Sequence, residues 1–405
     1  MKINIVGAFD RYNYGDLLFP LILENAIMGN SFLKDSDIEY YGIREFNGEK
    51  YKCKSTQKLC KLNEGEYIIN AGGNTLVAEI QYLFLDNLND KWKLLLYRIF
   101  RKLVGEKNFT SIVMKKNGIN RVFPYDFKTS KMIYNCVGGD INQLSEEKRK
   151  IILETLSETG YISVRDIDTY NSIPKELNPY LVPDSAIVLS EQWEETYLRG
   201  VCNQELVNLV DKIKSQYIVF QISRGVGEHK VEQICSSLKK IYSQHKMKIW
   251  LLPIGIAPSH GDIEILRIIN RKLPEETYYY ENIDIMDTTF ILSQSYWFVG
   301  SSLHGNLISF SYQVPSVLIA DVNTKNYKYF ETWMKNSSCY CVSLDTFVSW
   351  KEEIKIKRKE TDNSSLSFQQ ELVHQNFERL FSYIEHYEEY KAVHENDVDR
   401  GKNRK

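Results

Sequence analysis

Residues 299–319 have the sequence VGSSLHGNLISFSYQVPSVLI and contain the strand-to-helix transition that decides the fold prediction. An apolar run ends at Val299, residues 300–302 form a polar turn, and apolar residues recur at helical spacing after Gly305. His304 therefore lies where a strand gives way to a helix. In open α/β sheets this is the carboxyl edge, where ligands bind, and helix N-termini attract anions. His304 is a candidate to meet a phosphate or carboxylate and to move a proton. The alternative is that it merely caps the helix.

Short apolar segments followed by polar or glycine-rich turns recur on both sides of this stretch. Strands are predicted at residues 2–6, 38–43, 66–69, 131–137, 161–164, 180–182, 217–222, 247–252, 277–280, 296–299 and 316–319. Helical patterns separate most of them, and this alternation is typical of an α/β fold. We predict two Rossmann-like domains, residues 1–190 and 217–350, joined by a hinge helix at 191–216. A polar connector at 351–365 then leads to a helix at 366–392 that crosses back onto the first domain, and to a disordered tail at 393–405.

Length and composition agree with this organisation. The 405 residues are 43% apolar, enough for two packed cores, and contain no run long enough to span a bilayer. A net charge of −2 gives no general attraction to nucleic acid. The first ten residues predict a strand and not a signal peptide. The seven cysteines are odd in number and lack zinc-site spacing, which predicts reduced thiols, a cytoplasmic location and no metal site.

The turns after two early strands are candidate ligand-binding loops. The loop after the first strand ends at Asp16, which we expect to cap the following helix. Its glycine spacing matches neither a dinucleotide-binding nor a P-loop motif. The turn after the strand at 66–69 contains Gly72 and Gly73, which permit close approach of a ligand or simply a tight bend.

Two arginines follow strands at matching positions in the two predicted domains. Arg165 follows the strand at 161–164, and Arg224 follows the strand at 217–222. A guanidinium group binds two oxygens of a carboxylate or phosphate at once. The alternative for Arg165 is a structural pair with Asp166, which is also expected to cap the next helix.

Residues 90–104, DKWKLLLYRIFRKLV, predict a basic amphipathic helix. Such a helix is able to lie on an anionic membrane surface, which would make the protein peripheral at the inner face of the membrane. The alternative is a helix whose apolar face packs on the core and whose basic face lies in water.

An ordered set of short motifs resembles the polysaccharide pyruvyl transferase family. The motifs are Asn13-Tyr14-Gly15-Asp16, Gly72-Gly73, Gly138-Gly139, Val164-Arg165-Asp166, Pro183-Asp184, Ser223-Arg224 and Ser302-Leu303-His304-Gly305. The resemblance covers roughly residues 1–320. It implies a GT-B-like arrangement with the site between the domains, the first on the acceptor side and the second on the donor side. It also implies transfer of a pyruvyl group from phosphoenolpyruvate onto a sugar of a capsule, exopolysaccharide or cell-wall precursor, which includes lipid-linked precursors. A cyclic ketal forms and phosphate is released.

The resemblance and the residue chemistry together assign roles within this site. His304 and Asp16 are the expected catalytic residues. The expected donor-binding residues are Arg165, Arg224, Ser302, Leu303 and Gly305. The expected acceptor-binding residues are Asn13, Gly15, Gly72, Gly73 and Asn74. No metal or cofactor is expected, with phosphoenolpyruvate as the donor substrate. Ser302 stands where the best-studied members carry Arg, so the donor contact at this position stays open.

Two other functions remain open from the sequence. A GT-B glycosyltransferase that uses a nucleotide sugar would need an acidic residue for the ribose hydroxyls, and Glu281 or Asp284 is placed for that role. A catalytically silent binding protein would retain the fold without using His304.

Overall fold

The computed structural model describes residues 1–47, 51–59, 66–88, 90–213, 216–256, 261–280, 284–335, 337–349 and 364–402, with side chains to 388. Most of the predicted connector at 351–365, and Glu281, lie outside these residues.

The first domain contains an eight-stranded sheet. Its strands are β1 Lys2–Val6, β2 Asp37–Gly42, β3 Phe46–Asn47, β4 Lys52–Ser55, β5 Glu66–Asn70, β6 Met132–Val137, β7 Tyr161–Val164 and β8 Tyr180–Leu181. They lie in the order β3-β4-β2-β1-β5-β6-β7-β8, and only the β3–β4 pair is antiparallel. The helices are α1 Tyr14–Gly29, α2 Ile80–Asp86, α3 Lys91–Val104, α4 Glu106–Asn117, α5 Glu146–Leu156 and α6 Ile167–Ser172.

Both faces of this sheet are buried, as parallel sheets require. Tyr67 and Ile69 of β5 belong to one apolar cluster, whereas Ile68 between them belongs to another on the opposite face. The first cluster includes α1, and the second includes α2, α4 and α5. The alternation of side chains along each strand thus attaches helices to both faces of the sheet.

The second domain contains a six-stranded parallel sheet. Its strands are β9 Tyr217–Gln221, β10 Lys248–Leu251, β11 Thr277–Tyr279, β12 Trp297–Gly300, β13 Ser316–Ile319 and β14 Cys339–Val342. Their order is β11-β10-β9-β12-β13-β14. The helices are α10 Arg224–Gly227, α11 Val231–His245, α12 Asp262–Lys272, α13 Ile285–Ser293, α14 Leu303–Ser311, α15 Lys325–Tyr329 and α16 Leu344–Val348.

The segment between the domains differs from the predicted hinge helix at 191–216. It forms three short helices, α7 Leu189–Gln192, α8 Glu195–Val201 and α9 Gln204–Lys212. α7 ends at its C-cap Trp193, and α8 ends at its C-cap Cys202. Both side chains are buried in an apolar cluster to which the two domains contribute. Burial of these residues therefore interrupts the helix that the local polar pattern predicted.

The last helix, α17 Ser364–Lys402, crosses back from the second domain to the first, as predicted. Gln369 donates to the carbonyl of Trp333 in the second domain at 2.9 Å. Two turns later, buried Asn376 joins Tyr161 and Asn135 of the first domain. The helix continues past residue 392 to Lys402, and so extends into the segment 393–405 that the sequence predicted as a disordered tail.

The N-terminus of α1 connects the two sheets at their carboxyl edges. The Tyr14 N–H lies 3.5 Å from the Ile254 carbonyl oxygen, and the Tyr14 hydroxyl forms a hydrogen bond of 2.8 Å with the Thr289 hydroxyl. Apolar residues of both domains and of α17 also form one continuous buried cluster. The two carboxyl edges consequently face each other across a cleft.

Among the described residues, no helix is long and apolar enough to cross a membrane. No disulfide joins any two of the six described cysteines, and Cys60 lies outside the described residues.

Candidate active site

A cleft of about 500 Å³ lies between the two carboxyl edges. Eight of the predicted site residues line it: Asn13, Asp16, Gly73, Asn74, Arg165, Ser302, Leu303 and His304. Other polar residues that the sequence did not single out also line it: Arg11, Glu79, Tyr82, Asp86, Gln221, Lys325 and Asn326. The turns of both domains therefore contribute to one site.

His304 occupies the first turn of α14 and points into this cleft. The helix cap is Ser302, whose hydroxyl accepts the Gly305 N–H at 3.1 Å, so the alternative that His304 caps the helix is wrong. The His304 side chain is 15% exposed, and its ring packs edge-on against Phe19 with centroids 5.4 Å apart. Phe19 thus packs against the imidazole, and a small part of the His304 side chain stays exposed.

Gly15 allows this position of the imidazole. A Cβ atom on Gly15 would lie 1.9 Å from Nδ1 of His304, closer than any real contact. Gly15 belongs to the first domain and His304 to the second. The absence of a side chain at residue 15 therefore lets the two domains meet with the ring between them.

Arg165 and His304 converge on the buried carboxylate of Asp184. Nη1 of Arg165 bonds Oδ2 of Asp184 at 2.7 Å, and Nε2 of His304 lies 3.9 Å from the same oxygen. That nitrogen is buried and has no hydrogen-bond partner among the described residues. The alternative that Arg165 pairs with Asp166 is wrong, because Asp166 caps α6 through the Thr169 N–H. Asp184 thus holds the guanidinium at the base of the cleft.

Gly138 and the Ser185–Val188 turn determine how this cluster is held. A Cβ on Gly138 would lie 2.8 Å from Nε of Arg165, so the arginine passes directly over this glycine. Oδ1 of Asp184 accepts the Ala186 N–H at 3.0 Å, and the Asp184 N–H bonds the Tyr329 hydroxyl at 3.1 Å. Asp184 is therefore held from both domains, its carboxylate by Arg165 and Ala186 and its backbone N–H by Tyr329.

The environment of His304 favours its neutral form. Burial lowers the pKa of His304 below its ordinary value of 6.5, and the neighbouring Arg165 and Lys325 cations lower it further. The Asp184 and Asp16 carboxylates act in the opposite direction without reversing the shift. A neutral imidazole at physiological pH is able to accept a proton.

Lys325 is a second cation of the cleft, and the sequence reading missed it. It is the first residue of α15, after β13, with Thr324 as the cap. Lys325 makes no ion pair within the described part of the chain, and its side chain is exposed at the cleft. Partial desolvation and the neighbouring Arg165 cation lower its pKa, against the Asp16 and Asp86 carboxylates. Like Arg165, Lys325 is a cation that follows the carboxyl end of a strand, but the loop 320–324 separates it from β13.

Arg11 adds a third positive group on the floor of the cleft. Its guanidinium lies 3.5 Å from the buried carboxylate of Asp10, and only 12% of its side chain is exposed. The cleft therefore offers three cations to a ligand with two anionic groups.

Asp16 faces the cleft but does not cap α1, contrary to the prediction. The helix begins two residues earlier, at Tyr14, and Asp16 lies in its first turn. Its carboxylate accepts the side-chain N–H of Asn13 at 2.8 Å. Freed from capping, the carboxylate is available to a ligand hydroxyl.

Four further predicted residues do not line the cleft. Arg224 points outward, where Glu228 and Glu264 bind its guanidinium at 2.6 and 2.9 Å. Gly72 lies behind the turn against Phe19, Gly15 lies beneath His304, and Gly305 packs on Phe298 and Ile254. The Gly305 N–H is already bonded by Ser302, so it does not serve an anion.

Gln221 holds the turn that carries Ser302. The side-chain oxygen Oε1 of Gln221 accepts the Ser302 N–H at 2.8 Å, and the side-chain Nε2 of Gln221 donates to Asp262 at 2.7 Å. Asn326 donates to the Ser301 carbonyl at 2.9 Å. These two side-chain amides fix the turn of the second domain from which His304 projects.

The acidic residue considered for a nucleotide sugar, Asp284, lies elsewhere in the second domain. Asp284 caps α13 through the Met286 N–H at 2.7 Å and does not line the cleft. Among the described residues, no group of three or more His, Cys, Asp or Glu side chains is arranged to hold a metal ion.

Comparison with solved structures defines the fold class. The chain is similar to S. aureus MnaA in its co-structure with UDP, with TM-score 0.52, 12% identity, and coverage of 95% of this chain and 96% of that one. It is also similar to the Methanocaldococcus jannaschii UDP-GlcNAc 2-epimerase in complex with UDP-GlcNAc and UDP, with TM-score 0.50, 12% identity, and coverage of 95% and 100%. These likenesses, with the two parallel sheets, confirm the predicted GT-B arrangement.

The family comparison rests on sequence. No match was found among curated proteins. The family model described as polysaccharide pyruvyl transferase matches residues 13–321, which contain every motif of the resemblance and every residue that lines the cleft except Ala8, Arg11, Lys325 and Asn326. The chain belongs to the polysaccharide pyruvyl transferase family.

Proposed function

We propose that this transferase moves the pyruvyl group of phosphoenolpyruvate onto two hydroxyls of a saccharide, forming a cyclic ketal and releasing phosphate. The observation that carries the proposal is the convergence of Arg165, Lys325 and His304 on one interdomain cleft. Phosphoenolpyruvate presents a phosphate and a carboxylate on a small frame. Two cations and a neutral base are the groups that its binding and reaction require.

Arg165 and Lys325 are the proposed donor-binding residues. Arg165 is held by Asp184 and is therefore preorganised, which lowers the cost of binding an anion. Lys325 enters from the loop after β13 and supplies positive charge near Ser302, the position where better-known members carry Arg. Ser302 itself caps α14, so its hydroxyl serves the helix.

His304 is the proposed proton acceptor. One acceptor hydroxyl adds to the central carbon of the enol, forming a C–O bond, and its proton passes to the imidazole. The imidazolium passes this proton on to the methylene carbon, which becomes a methyl group, so that His304 returns to its neutral form. The C–O bond to phosphate then breaks with its electron pair, the second hydroxyl forms the second C–O bond, and its proton leaves with the phosphate. Atoms and charge balance, and the cations at Arg165 and Lys325 stabilise the departing anion.

The acceptor side is assigned to the first domain. Asp16 and Asn13 form a hydrogen-bonded pair at the start of α1, and Asn74 is exposed in the turn after Gly73. A carboxylate and two amides are suited to sugar hydroxyls. The proposed acceptor is a precursor of capsule, exopolysaccharide or cell-wall polysaccharide in the cytoplasm, for which reduced thiols are typical.

Incubation with phosphoenolpyruvate and a panel of saccharides and glycolipids tests the proposal. The expected result is phosphate release together with an acceptor mass gain of one pyruvyl ketal. Arg165→Ala should weaken donor binding by at least about tenfold, as loss of a charge-assisted contact does. Arg224→Ala is the matched control, because its guanidinium faces Glu228 and Glu264 outside the cleft.

The outcome that contradicts the proposal is thermal stabilisation by nucleotide sugars with none by phosphoenolpyruvate, and no ketal across the panel. An equal loss of phosphoenolpyruvate affinity in Arg165→Ala and Arg224→Ala would also contradict the assignment of the donor site.

A further inference from the structure

Helix α3 carries its apolar face outward, away from the protein. Trp92, Leu96 and Leu103 are 74%, 63% and 80% exposed. The full face consists of Trp92, Leu95, Leu96, Ile99, Phe100 and Leu103, all exposed and spaced at i, i+3, i+4, i+7, i+8 and i+11. This spacing places them along one side of the helix. The alternative in which this face packs on the core is wrong.

Other residues attach the helix to the protein. Leu94 is buried, and Tyr97 packs edge-on against Phe84 with ring centroids 5.1 Å apart. Asp90 caps the first turn by accepting the Trp92 and Lys93 N–H groups. The helix is therefore a fixed part of the fold, and its exposed apolar face is preformed.

Positive charges border this apolar face. The helix contains Lys91, Lys93, Arg98, Arg101 and Lys102, and it contains no acidic residue. The helical angles put Lys91, Arg98 and Lys102 along one edge of the face and Lys93 along the other. An apolar strip between basic edges is the arrangement of a helix that lies in the plane of an anionic bilayer.

We propose that α3 docks on an anionic lipid bilayer, with its six apolar side chains between the acyl chains and its basic edges among the headgroups. Charge selects this occupant over a second copy of the chain. Two copies joined through this face would bring their Lys and Arg rows together without a carboxylate on either helix to pair them. Anionic headgroups would instead pair with both rows.

The helix also adjoins the cleft. The Arg101 guanidinium lies 5.2 Å from the ring centre of Tyr82, a residue of α2 that lines the cleft. At the other end of the helix, Lys91 pairs with Glu264 of α12 in the second domain. Docking through α3 would therefore bring the mouth of the cleft to the membrane surface, where a lipid-linked saccharide is presented.

Flotation with lipid vesicles tests the proposal. The full-length protein should bind vesicles of phosphatidylglycerol and phosphatidylcholine, and bind phosphatidylcholine alone much more weakly. Binding should fall as salt rises, because the headgroup attraction is screened. Arg98→Glu with Lys102→Glu should weaken binding by roughly tenfold or more. Leu96→Glu with Leu103→Glu should abolish it.

Phe368→Glu is the matched control for the apolar substitutions, since Phe368 is 60% exposed on α17, far from α3 in the sequence. Circular dichroism checks that each variant is folded. Vesicle binding that is equal in Phe368→Glu and the Leu96→Glu, Leu103→Glu variant overturns the proposal. The proposal is also overturned if the wild-type protein is a dimer that the Leu96→Glu, Leu103→Glu variant dissociates, and if neither protein binds vesicles. Ketal formation on a soluble saccharide should be unchanged in the α3 variants, so failure of docking and failure of the proposed function are distinguishable.

Discussion

His304 lies among groups that act on its charge in opposite directions. Burial, Arg165 and Lys325 lower its pKa, whereas Asp184 and Asp16 raise it. The net direction is downward, so the imidazole of the folded protein stays neutral over a pH range in which a free histidine is already protonated. A base with this pKa suits removal of a proton from a sugar hydroxyl at neutral pH.

Replacing His304 by Gln should remove proton transfer while leaving the donor site in place. The rate of ketal formation should fall by about 10²–10⁴-fold, with little change in phosphoenolpyruvate affinity measured by calorimetry. In the wild-type protein, the acid limb of kcat/KM should lie below pH 6.5, because activity needs the neutral imidazole. An acid limb above pH 6.5, or full activity of the variant, would contradict the role of His304.

Gly15 tests the geometry of the imidazole through the other domain. An alanine there would put a methyl group against Nδ1 of His304, displacing the ring. We expect Gly15→Ala to lower kcat by about 10²-fold, the usual cost of a misplacement near 1 Å. Gly29→Ala, at the end of the same helix, is the control because a Cβ there meets no atom within 4 Å. Steady-state kinetics of both variants measures the difference, and equal activities would show that the ring does not need this position.

The sequence predicted Arg165 and His304 but not where Arg224 points. All three residues follow a strand, and this placement fixes where the backbone lies but not where the side chain points. Glu228, four residues after Arg224, and Glu264 from α12 draw its side chain outward. The acidic residue at i+4 is visible in the sequence, whereas Glu264 is brought near only by the fold.

At the scale of elements, a buried polar contact fixes α17 to the first domain. The Asn376 amide donates to Asn135 at 2.7 Å, and its oxygen accepts the Tyr161 hydroxyl at 2.9 Å. Asn376→Ala would leave both partners buried without this bond. The free energy of unfolding should fall by about 1–3 kcal/mol in urea denaturation. Glu378→Ala, on the exposed side of the same helix, should change the free energy of unfolding by less than about 0.5 kcal/mol. An equal loss of stability in the two variants would contradict a stabilising role for the Asn376 contact.

The predicted elements were mostly right because buried strands and helices have distinct periods. The sequence did not predict two regions of strand. One is the short, polar pair Phe46–Asn47 and Lys52–Ser55, and the other is Cys339–Val342 at the edge of the second sheet. For α3 the sequence predicted the helix but left its orientation open. An amphipathic pattern is the same whether the apolar face meets the core or the solvent, and the packing of Leu94 and Tyr97 decides it.

At the scale of the whole molecule, the shared core links the two domains. One apolar cluster includes Ile5 of the first sheet, Val219 of the second and Leu380 of α17. The sequence could not show this, because the cluster joins residues far apart in the chain. Calorimetry should therefore show a single unfolding transition rather than one for each domain. Phosphoenolpyruvate at about 100 times its Kd should stabilise that transition by about 2.7 kcal/mol. Two separate transitions would contradict a shared core.

A crystal structure with bound phosphoenolpyruvate tests the central claim most directly. We expect the donor in the interdomain cleft, with its anionic groups within hydrogen-bond distance of Arg165 and Lys325 and its central carbon beside His304. A donor bound at the outward-facing Arg224, or a cleft that takes up a nucleotide sugar and no phosphoenolpyruvate, would contradict it.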